Sequence, residues 1–246
     1  MEKHKNTIEY EVSGPYALFS DPILRVGGEK TSYMIPTYEA IKGITESCYW
    51  KPSIYWIVDA IRVMNPIFTE TKDILLKKMG GGSDLAYYTY LADVRYQVRA
   101  HLEMNLNYPE LKKDQIDGKH YSIAKRMVER GGRRDIYLGA KECQGFIEPC
   151  VFGEGKSYYD SMTEAQDFGF MYHGMTYPNE AILPEDKNML TTRFWNAVMK
   201  KGGIIEFPRP EACEQKRRIR PMEPTKFGSK YNNFSGLQEF ADEGEK

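Results

Sequence analysis

The sequence predicts an α+β fold, in which a β-α-β-β-α-β domain is followed by a smaller β-rich domain. Two observations support this prediction. Up to residue 151, segments with the two-residue period of a strand alternate with segments that have the helical period. After about residue 152 the chain consists of short apolar runs that glycine and proline interrupt, which is typical of small β-sheets.

The first strand and the first helix are separated by a long loop. Residues 8–14 alternate and end in glycine, which predicts a strand, and residues 15–35 are rich in Pro, Gly and Ser. Pro36 suits the first turn of a helix, and Lys51-Pro52 ends it. The apolar residues between them recur at helical spacing: Ala40, Ile41, Ile44 and Cys48.

Two strands, a second helix and a last strand complete the first domain. Residues 54–64 are β-branched and aromatic, and Pro66 ends this second strand. A polar connection leads to a strand over 94–102, which places one set of residues on its apolar face: Val94, Tyr96, Val98 and Ala100. The helix after Gly118 has a buried stripe of Ile123, Ala124, Met127 and Val128, and residues 136–151 form the last strand.

This order of elements is the ferredoxin-like arrangement, which the RNA-recognition fold shares. Such a widespread fold says little about function by itself. In the β-rich extension, 152–235, we expect short strands in DFGFMYHGMTYP and GGIIEFP and a short helix around LTTRFWNAVMKK. Residues 236–246 form an acidic tail. The predicted domains are therefore 1–151 and 152–235, followed by this tail.

The composition limits the classes of function. The 34 Lys and Arg residues are balanced by 35 Asp and Glu, so any binding of nucleic acid must use local basic patches. None of the four cysteines forms a C-x-x-C pair, so we expect no zinc site, no other metal and no cofactor. The N-terminus lacks an apolar signal region, and the longest apolar stretch, 54–61, is interrupted by Asp59. We therefore expect a cytoplasmic protein that makes no membrane contact.

One local basic patch surrounds a lysine and a histidine. Six of the sixteen residues from Lys119 to Arg134 are Lys or Arg, and one is acidic. Asp117-Gly118 is a helix-capping signal, which places Lys119 and His120 in the first helical turn. The helix dipole there attracts phosphate and disfavours an imidazolium, so His120 is suited to accept a proton.

These residue types match the needs of RNA cleavage without a metal. A base must take the proton of the 2′-OH, a cation must stabilise the charge that grows on the phosphate oxygens, and an acid must protonate the departing 5′ oxygen. A histidine, a lysine and a tyrosine supply these groups, with the base and acid roles of histidine and tyrosine left open. The products would be a 2′,3′-cyclic phosphate and a 5′-OH. Against this, a lone histidine near a helix start is most often a surface or capping residue.

The surroundings of the helix favour anion binding. Gly131 and Gly132 permit a left-handed helix end and a close approach of the backbone to a ligand. Arg133 and Arg134 then stand on a loop from which they can fork onto phosphate. Further candidate RNA contacts are Lys125 and Arg126 on the outer face of the helix, Arg25 in the loop 21–33, and the basic segment 209–220.

Three segments resemble a known family: EYEVSGPYALFSDPILRVGGEKTSYMIPTYEAIKGITES, YWKPSIYWIVDAIRVMNPI and RGGRRDIYLGAKECQGFIEP. Together they are similar to the subtype I-C (Dvulg) members of the fifth family of CRISPR-associated proteins, in the RAMP superfamily. The resemblance implies a ferredoxin-like domain followed by a smaller β-sheet domain. It also implies metal-independent cleavage of precursor CRISPR RNA at the 3′ base of the repeat hairpin.

The resemblance assigns particular residues and partners. Lys119 and His120 match the family's catalytic lysine and histidine, and Tyr49 matches its catalytic tyrosine; Tyr38, Tyr55 and Tyr121 are nearby alternatives. The glycine-rich loop corresponds to Gly131, Gly132, Arg133 and Arg134. The implied partners are precursor and mature CRISPR RNA, the other subunits of the type I-C surveillance complex (Cascade) and, as a further candidate, target double-stranded DNA. The alternative is a non-catalytic subunit that binds the 5′ handle of the RNA. Cys48 is expected in the core.

Overall fold

Two β-sheets, almost entirely antiparallel, and two helices make up the fold in a computed structural model, which describes residues 4–22, 24 and 29–225. Arg25, residues 226–235 of the extension and the acidic tail 236–246 lie outside the described residues. The helices are α1, Tyr38–Cys48, and α2, Lys119–Glu129. The fold is thus mixed α/β and dominated by antiparallel sheet.

The larger sheet has eight strands. They are β1 Thr7–Ala17, β2 Lys30–Thr31, β3 Ile54–Val63, β4 Thr69–Lys77, β5 Ser83–Met104, β6 Ile136–Tyr137, β7 Gln144–Pro149 and β10 Ile204–Glu206. Six of them follow the order β10-β3-β5-β1-β7-β6, and β2 and β4 both pair with β5. The smaller sheet consists of β8 Gln166–Thr176, β9 Met189–Met199 and β11 Gln215–Pro221, in the order β11-β9-β8.

The predicted alternation along 94–102 is confirmed in β5. Val94, Tyr96, Val98 and Ala100 are buried in the main core. Tyr10 of β1 stands opposite Val98 and bonds through its hydroxyl to Thr45 of α1 at 2.7 Å, so this face of the sheet meets the helices. The other face carries ion pairs, such as Arg99 with Glu9 at 3.0 Å.

Both helices predicted for the first domain are present, and the second begins after Gly118 without a side-chain cap. In α1, Thr37 caps the first turn by accepting a hydrogen bond from the backbone N–H of Ala40. The residue that caps α2 is Gly118, which has a positive φ of 70° and makes no side-chain cap bond. Asp117 instead pairs with Lys5 at 2.6 Å on the surface. The predicted Asp117-Gly118 signal therefore marks the start of the helix correctly, with Gly118 as the capping residue, but the Asp117 side chain does not cap it.

One hairpin contradicts the predicted polar connection between the second and third strands. β4 pairs with the first half of β5 along its whole length, from Thr69 opposite Leu91 to Lys77 opposite Ser83. The chain reverses at Gly81 and Gly82, whose φ values of 88° and 84° suit glycine. The polar residues of β4 are compatible with a strand because it pairs with β5 along its whole length while neither of its faces is fully buried.

Two further predictions are wrong. The expected helix around LTTRFWNAVMKK is the strand β9, because its β-branched and aromatic residues pair with β8 on one side and β11 on the other. The expected single strand over 136–151 is the hairpin of β6 and β7. A tight turn separates them, in which the N–H of Leu138 donates to the carbonyl of Cys143 at 2.8 Å.

The extension contributes to both sheets. β8 and β10 occur where DFGFMYHGMTYP and GGIIEFP predict short strands. β10 pairs with β3 and so adds an edge strand to the larger sheet, with Ile205 opposite Ile61. None of the described helices has the length and apolar character needed to cross a membrane.

Candidate functional site

Lys119 and His120 are the first two residues of α2, as the sequence predicts. The imidazole of His120 points into the protein and is only 1% exposed. The Lys119 side chain is 38% exposed and lies at the surface of the same turn. The Lys119 ammonium is therefore at the protein surface, and the His120 imidazole is buried beneath it.

Tyr49 follows directly after α1 and reaches His120 from another part of the fold. Its hydroxyl lies 2.8 Å from Nδ1 of His120, although 71 residues separate the two in the chain. The backbone is held on both sides, because the Tyr49 N–H donates to Thr45 and the indole N–H of Trp56 donates to the Tyr49 carbonyl at 2.7 Å. Tyr49 is 3% exposed, so the phenol and the imidazole meet in a buried environment.

The hydrogen bonds of His120 define its tautomer. Nε2 lies 2.9 Å from the backbone carbonyl oxygen of Asp114, and a carbonyl only accepts, so Nε2 carries the proton. In the neutral ring Nδ1 is then an acceptor, and the Tyr49 hydroxyl donates to it. Nδ1 is therefore the basic nitrogen of the ring, and it faces the Tyr49 phenol.

Asp114 and Ser53 join the site, and the sequence reasoning missed both. The Lys119 ammonium donates to Oδ1 of Asp114 at 2.5 Å, and the Ser53 hydroxyl donates to Oδ2 at 2.6 Å. These hydrogen bonds, from Lys119 first and then Ser53, hold the pKa of Asp114 below its ordinary value. Asp114 stands five residues before Lys119 in a short 3-10 turn, Pro109–Asp114. This closeness to Lys119 in the chain is the only sequence signal for Asp114, and it does not distinguish Asp114 from Asp117.

The surroundings hold Tyr49 in its protonated form. Burial raises the pKa of the phenol, the negative charge of Asp114 raises it further, and Arg133 opposes them in part. The phenol is therefore protonated at neutral pH and can act as a proton donor.

The loop after α2 lies against the end of α1, beside Tyr49. Gly131 and Gly132 have φ values of 82° and 106°, which suit glycine, and the N–H of Gly132 donates back to Met127 at 2.8 Å. The next two N–H groups, of Arg133 and Arg134, both donate to the carbonyl of Ser47 in the last turn of α1, at 3.3 and 3.1 Å. Both arginines are exposed. The predicted basic loop is therefore next to the Tyr49–His120 pair.

The other predicted RNA contacts that the structure describes lie mostly on exposed surfaces. Lys125 and Arg126 are exposed on α2. The second half of segment 209–220 lies in the exposed strand β11, where Lys216 pairs with Glu185. Arg209 is bound to Glu103 through two nitrogens, at 2.7 and 3.1 Å.

The alternative tyrosines have other partners. Tyr38 is buried and stacks on His173 with ring centroids 4.1 Å apart. The Tyr55 hydroxyl donates to Glu103 at 2.6 Å, and Tyr121 is partly buried against the core. Cys48, next to Tyr49, is fully buried in the core as predicted, and burial raises the pKa of its thiol to about 12.

Among the described residues, one group of side chains elsewhere could hold a metal ion. His4, Asp59 and His101 each place a ligand atom within 4.8 Å of the others. His101 is already bound, since Nδ1 lies 2.8 Å from Asp59 and Nε2 lies 3.3 Å from Glu103. Burial lowers its pKa, but the hydrogen bonds to Asp59 and Glu103 outweigh burial and raise it to about 9. A protonated imidazolium between two carboxylates accounts for this cluster without a metal.

The fold places a phenol and an imidazole beside a lysine and an arginine loop. These are the acid, base and cationic groups with which proteins act on phosphodiesters. A family model described as CRISPR-associated protein (Cas_Cas5) matches residues 7–206. The chain therefore belongs to the Cas5 family of CRISPR-associated proteins, and the resemblance predicted from the sequence is confirmed.

Individual relatives agree with this membership. The CRISPR pre-crRNA endoribonuclease Cas5d of Mannheimia succiniciproducens is 27% identical over 250 residues, which cover 86% of this chain and 99% of the relative. The protein of the same name from Thermus thermophilus is 33% identical over 150 residues, or 58% of this chain and 63% of the relative. A solved structure of a CRISPR-associated protein is 28% identical, has a TM-score of 0.68, and aligns over 88% of this chain and 100% of its own.

Proposed function

We propose that this protein is a metal-independent endoribonuclease that cleaves precursor CRISPR RNA within the repeat. The observation that carries the proposal is the 2.8 Å contact between the Tyr49 hydroxyl and Nδ1 of His120, with Lys119 on the same helical turn. Two relatives that bear the name CRISPR pre-crRNA endoribonuclease support the same substrate.

In the proposed reaction, the bound RNA displaces the Tyr49 hydroxyl from Nδ1 of His120, and Nδ1 then takes the proton of the 2′-OH next to the scissile phosphate. The 2′ oxygen forms a bond to phosphorus as the bond to the 5′ oxygen breaks, and the Tyr49 phenol gives its proton to that leaving oxygen. Lys119 neutralises the charge that grows on the phosphate oxygens. The products are a 2′,3′-cyclic phosphate and a 5′-OH.

The contact between the phenol and the imidazole also resets the site. After the reaction, His120 carries an extra proton and Tyr49 has lost one. Because the two atoms lie 2.8 Å apart, the proton moves from Nδ1 back to the phenolate, and both groups regain their starting forms. No water or metal is needed for this step.

Binding of the RNA uses the basic side chains around α2. Arg133 and Arg134, presented by Gly131 and Gly132, fork onto phosphates beside the cut. Lys125 and Arg126 extend the contact along the outer face of the helix, and Arg25 is a further candidate from the sequence. These contacts fix the RNA by its backbone and leave selection of the repeat to its hairpin shape.

The same proposal includes the fold and the assembly. The strand order β3-β5-β1-β7, with the helices on one face, supports a ferredoxin-like domain over 1–151. The smaller domain over 152–235 remains a proposal from the sequence, and its strand β10 pairs with β3 of the larger sheet. As the resemblance implies, the protein cuts at the 3′ base of the repeat hairpin and then stays on the 5′ handle in the type I-C surveillance complex. Target double-stranded DNA is a further proposed partner, and the cytoplasm is the proposed compartment.

One observation favours a second candidate function. Tyr49 and His120 are 3% and 1% exposed, so the residues that cover them must move before the 2′-OH of an RNA can reach them. A protein in which that movement does not occur would bind the 5′ handle without cutting, as a structural subunit.

A cleavage assay separates the two functions. The full-length protein is incubated with a cognate repeat hairpin RNA in excess EDTA, alongside the His120→Ala variant. The proposal predicts cleavage by the wild-type protein and none by the variant, which still binds the RNA. Tight binding without cleavage by the wild-type protein would establish the structural subunit instead, and cleavage by the variant would overturn the role of His120.

A further inference from the structure

We propose that Asp114 is a positioning residue for the cleavage reaction, which fixes the geometry of Lys119 and His120 with one carboxylate and one backbone carbonyl. The inference rests on the proposed function. Asp114 is additional to the tyrosine, lysine and histidine that the family resemblance assigns to catalysis.

The contacts of Asp114 converge on the site from separate elements. Oδ1 accepts from the Lys119 ammonium at 2.5 Å, and Oδ2 accepts from the Ser53 hydroxyl at 2.6 Å, just before β3. Oδ2 also lies 3.4 Å from Nε2 of His120, while the Asp114 carbonyl oxygen lies 2.9 Å from the same nitrogen. A single residue thus contacts the proposed cation and the proposed base together.

The segment that carries Asp114 is anchored to the sheet. The N–H of Asn105 donates to the carbonyl of Ser53 at 2.9 Å, and the Gln115 side-chain amide donates to the carbonyl of Asn105 at 2.7 Å. The Asp114 side chain is 33% exposed, with its carboxylate at the edge of the site. A carboxylate anchored in this way holds its partners in place, whereas an ordinary surface ion pair is mobile and weak.

The carboxylate matters most during the reaction. When Nδ1 of His120 accepts the 2′-OH proton, the buried ring becomes an imidazolium that carries a proton on each nitrogen. The Asp114 carboxylate compensates the new positive charge, and its carbonyl keeps the Nε2 proton in place, so that Nδ1 is always the nitrogen that accepts. Among the described residues, Tyr49 at the end of α1 also contacts this ring, Lys119 on α2 pairs with the same carboxylate, and Arg133 acts on Tyr49.

The pH dependence of cleavage tests this role. Single-turnover rates are measured on the repeat hairpin RNA in EDTA, across a range of pH, for the wild-type protein and Asp114→Asn. We expect the maximal rate to fall by about 10- to 100-fold and the affinity for RNA to stay within about threefold. The midpoint of the acidic limb should move to lower pH, because removal of a negative charge 3.4 Å from Nε2 disfavours the protonated ring.

Matched variants guard against a structural explanation. Asp117→Asn, in the same connecting segment, removes a surface carboxylate that pairs with Lys5 and should leave the rate and the profile unchanged. Ser53→Ala should shift the profile in the same direction by a smaller amount, and Asp114→Glu should restore part of the rate. Should Asp114→Asn fail to fold, Ser53→Ala provides the test.

The outcomes separate the two proposals. Absence of cleavage by the wild-type protein would overturn the proposed function, and the role of Asp114 with it. Cleavage by the wild-type protein together with an Asp114→Asn profile that matches Asp117→Asn would overturn the role of Asp114 alone. A slower rate with an unmoved acidic limb would also count against positioning.

Discussion

The Tyr49 hydroxyl donates a hydrogen bond to Nδ1 of His120 across 2.8 Å, at the junction between the end of α1 and the start of α2. This hydrogen bond joins two residues that stand 71 positions apart. It couples a phenol that is protonated at neutral pH to the unprotonated nitrogen of the imidazole, which takes a proton from the RNA once the phenol is displaced.

Loss of the Tyr49 hydroxyl should slow cleavage strongly. Tyr49→Phe keeps the ring and its packing but removes the proposed proton donor, so we expect the single-turnover rate to fall by about 100-fold or more, within the range of general acid catalysis. Tyr121→Phe is the matched control, because Tyr121 is next to His120 in sequence but packs against the core. Equal rates for the two variants would exclude Tyr49 as the donor.

Replacement of Lys119 should affect the reaction more than binding. Lys119→Ala removes the cation that stabilises the charged transition state, so the rate should fall by about 100- to 1,000-fold, while the RNA dissociation constant rises by about threefold or less. Lys113→Ala, an exposed lysine in the preceding turn, should change neither. If both variants reduced affinity and rate in parallel, Lys119 would be a phosphate ligand and not a catalytic group.

The arginine loop should contribute to affinity and to its dependence on salt. The double variant Arg133→Ala, Arg134→Ala removes two proposed phosphate ligands, so the slope of log affinity against log salt should become shallower by about 0.7 for each phosphate that is no longer neutralised. Filter binding at several salt concentrations measures this slope. Arg95→Gln is the control, because Arg95 pairs with Glu11 on the sheet face opposite the helices. An unchanged slope in the double variant would place the RNA elsewhere.

The stability of the fold should depend on pH through His101. Its pKa is about 9 in the folded protein, against an ordinary value of about 6.5 in the unfolded chain. A raised pKa stabilises the fold fully below about pH 6.5, and this contribution is lost as the pH rises through about 9. The free energy of unfolding should therefore fall across this interval by on the order of 2 kcal/mol more in the wild-type protein than in His101→Gln.

Urea unfolding at the two ends of that interval measures the difference. His173→Gln is the control, since burial lowers the pKa of His173 to about 4 and the ring is neutral throughout. That variant should show the same fall as the wild-type protein. A wild-type protein whose stability changes no more than that of His101→Gln would show that His101 is not protonated between Asp59 and Glu103.

The sequence predicts the elements whose residues repeat with a clear period. α1, α2 and β5 have apolar residues that recur at the spacing that the core requires, whereas β3 is buried along nearly all of its length and is recognisable from its continuous β-branched and aromatic run. β4 and β9 escape prediction for two different reasons. β4 is stabilised by its pairing with β5 and has few buried residues, and the aromatic residues of β9 also fit one face of a helix.

The candidate site divides in the same way. Lys119 and His120 are recognisable because they are adjacent and begin a helix, and Tyr49 is recognisable only through the family resemblance. The closeness of Asp114 to Lys119 in the chain does not single it out, and Ser53 has no sequence signal, because a short turn and the end of a loop meet there through tertiary packing. Contacts that form between elements leave no periodic pattern in the sequence.

The most direct test of the central claim is a comparison of two RNAs. The purified full-length protein is incubated in excess EDTA with a cognate repeat hairpin and with a matched RNA that carries one 2′-deoxy substitution at the nucleotide 5′ to the cut. We predict cleavage of the first RNA to a 2′,3′-cyclic phosphate and a 5′-OH, and protection of the second. Cleavage of both RNAs, or a need for a divalent metal, would contradict attack by the 2′-OH at the Tyr49–His120 site.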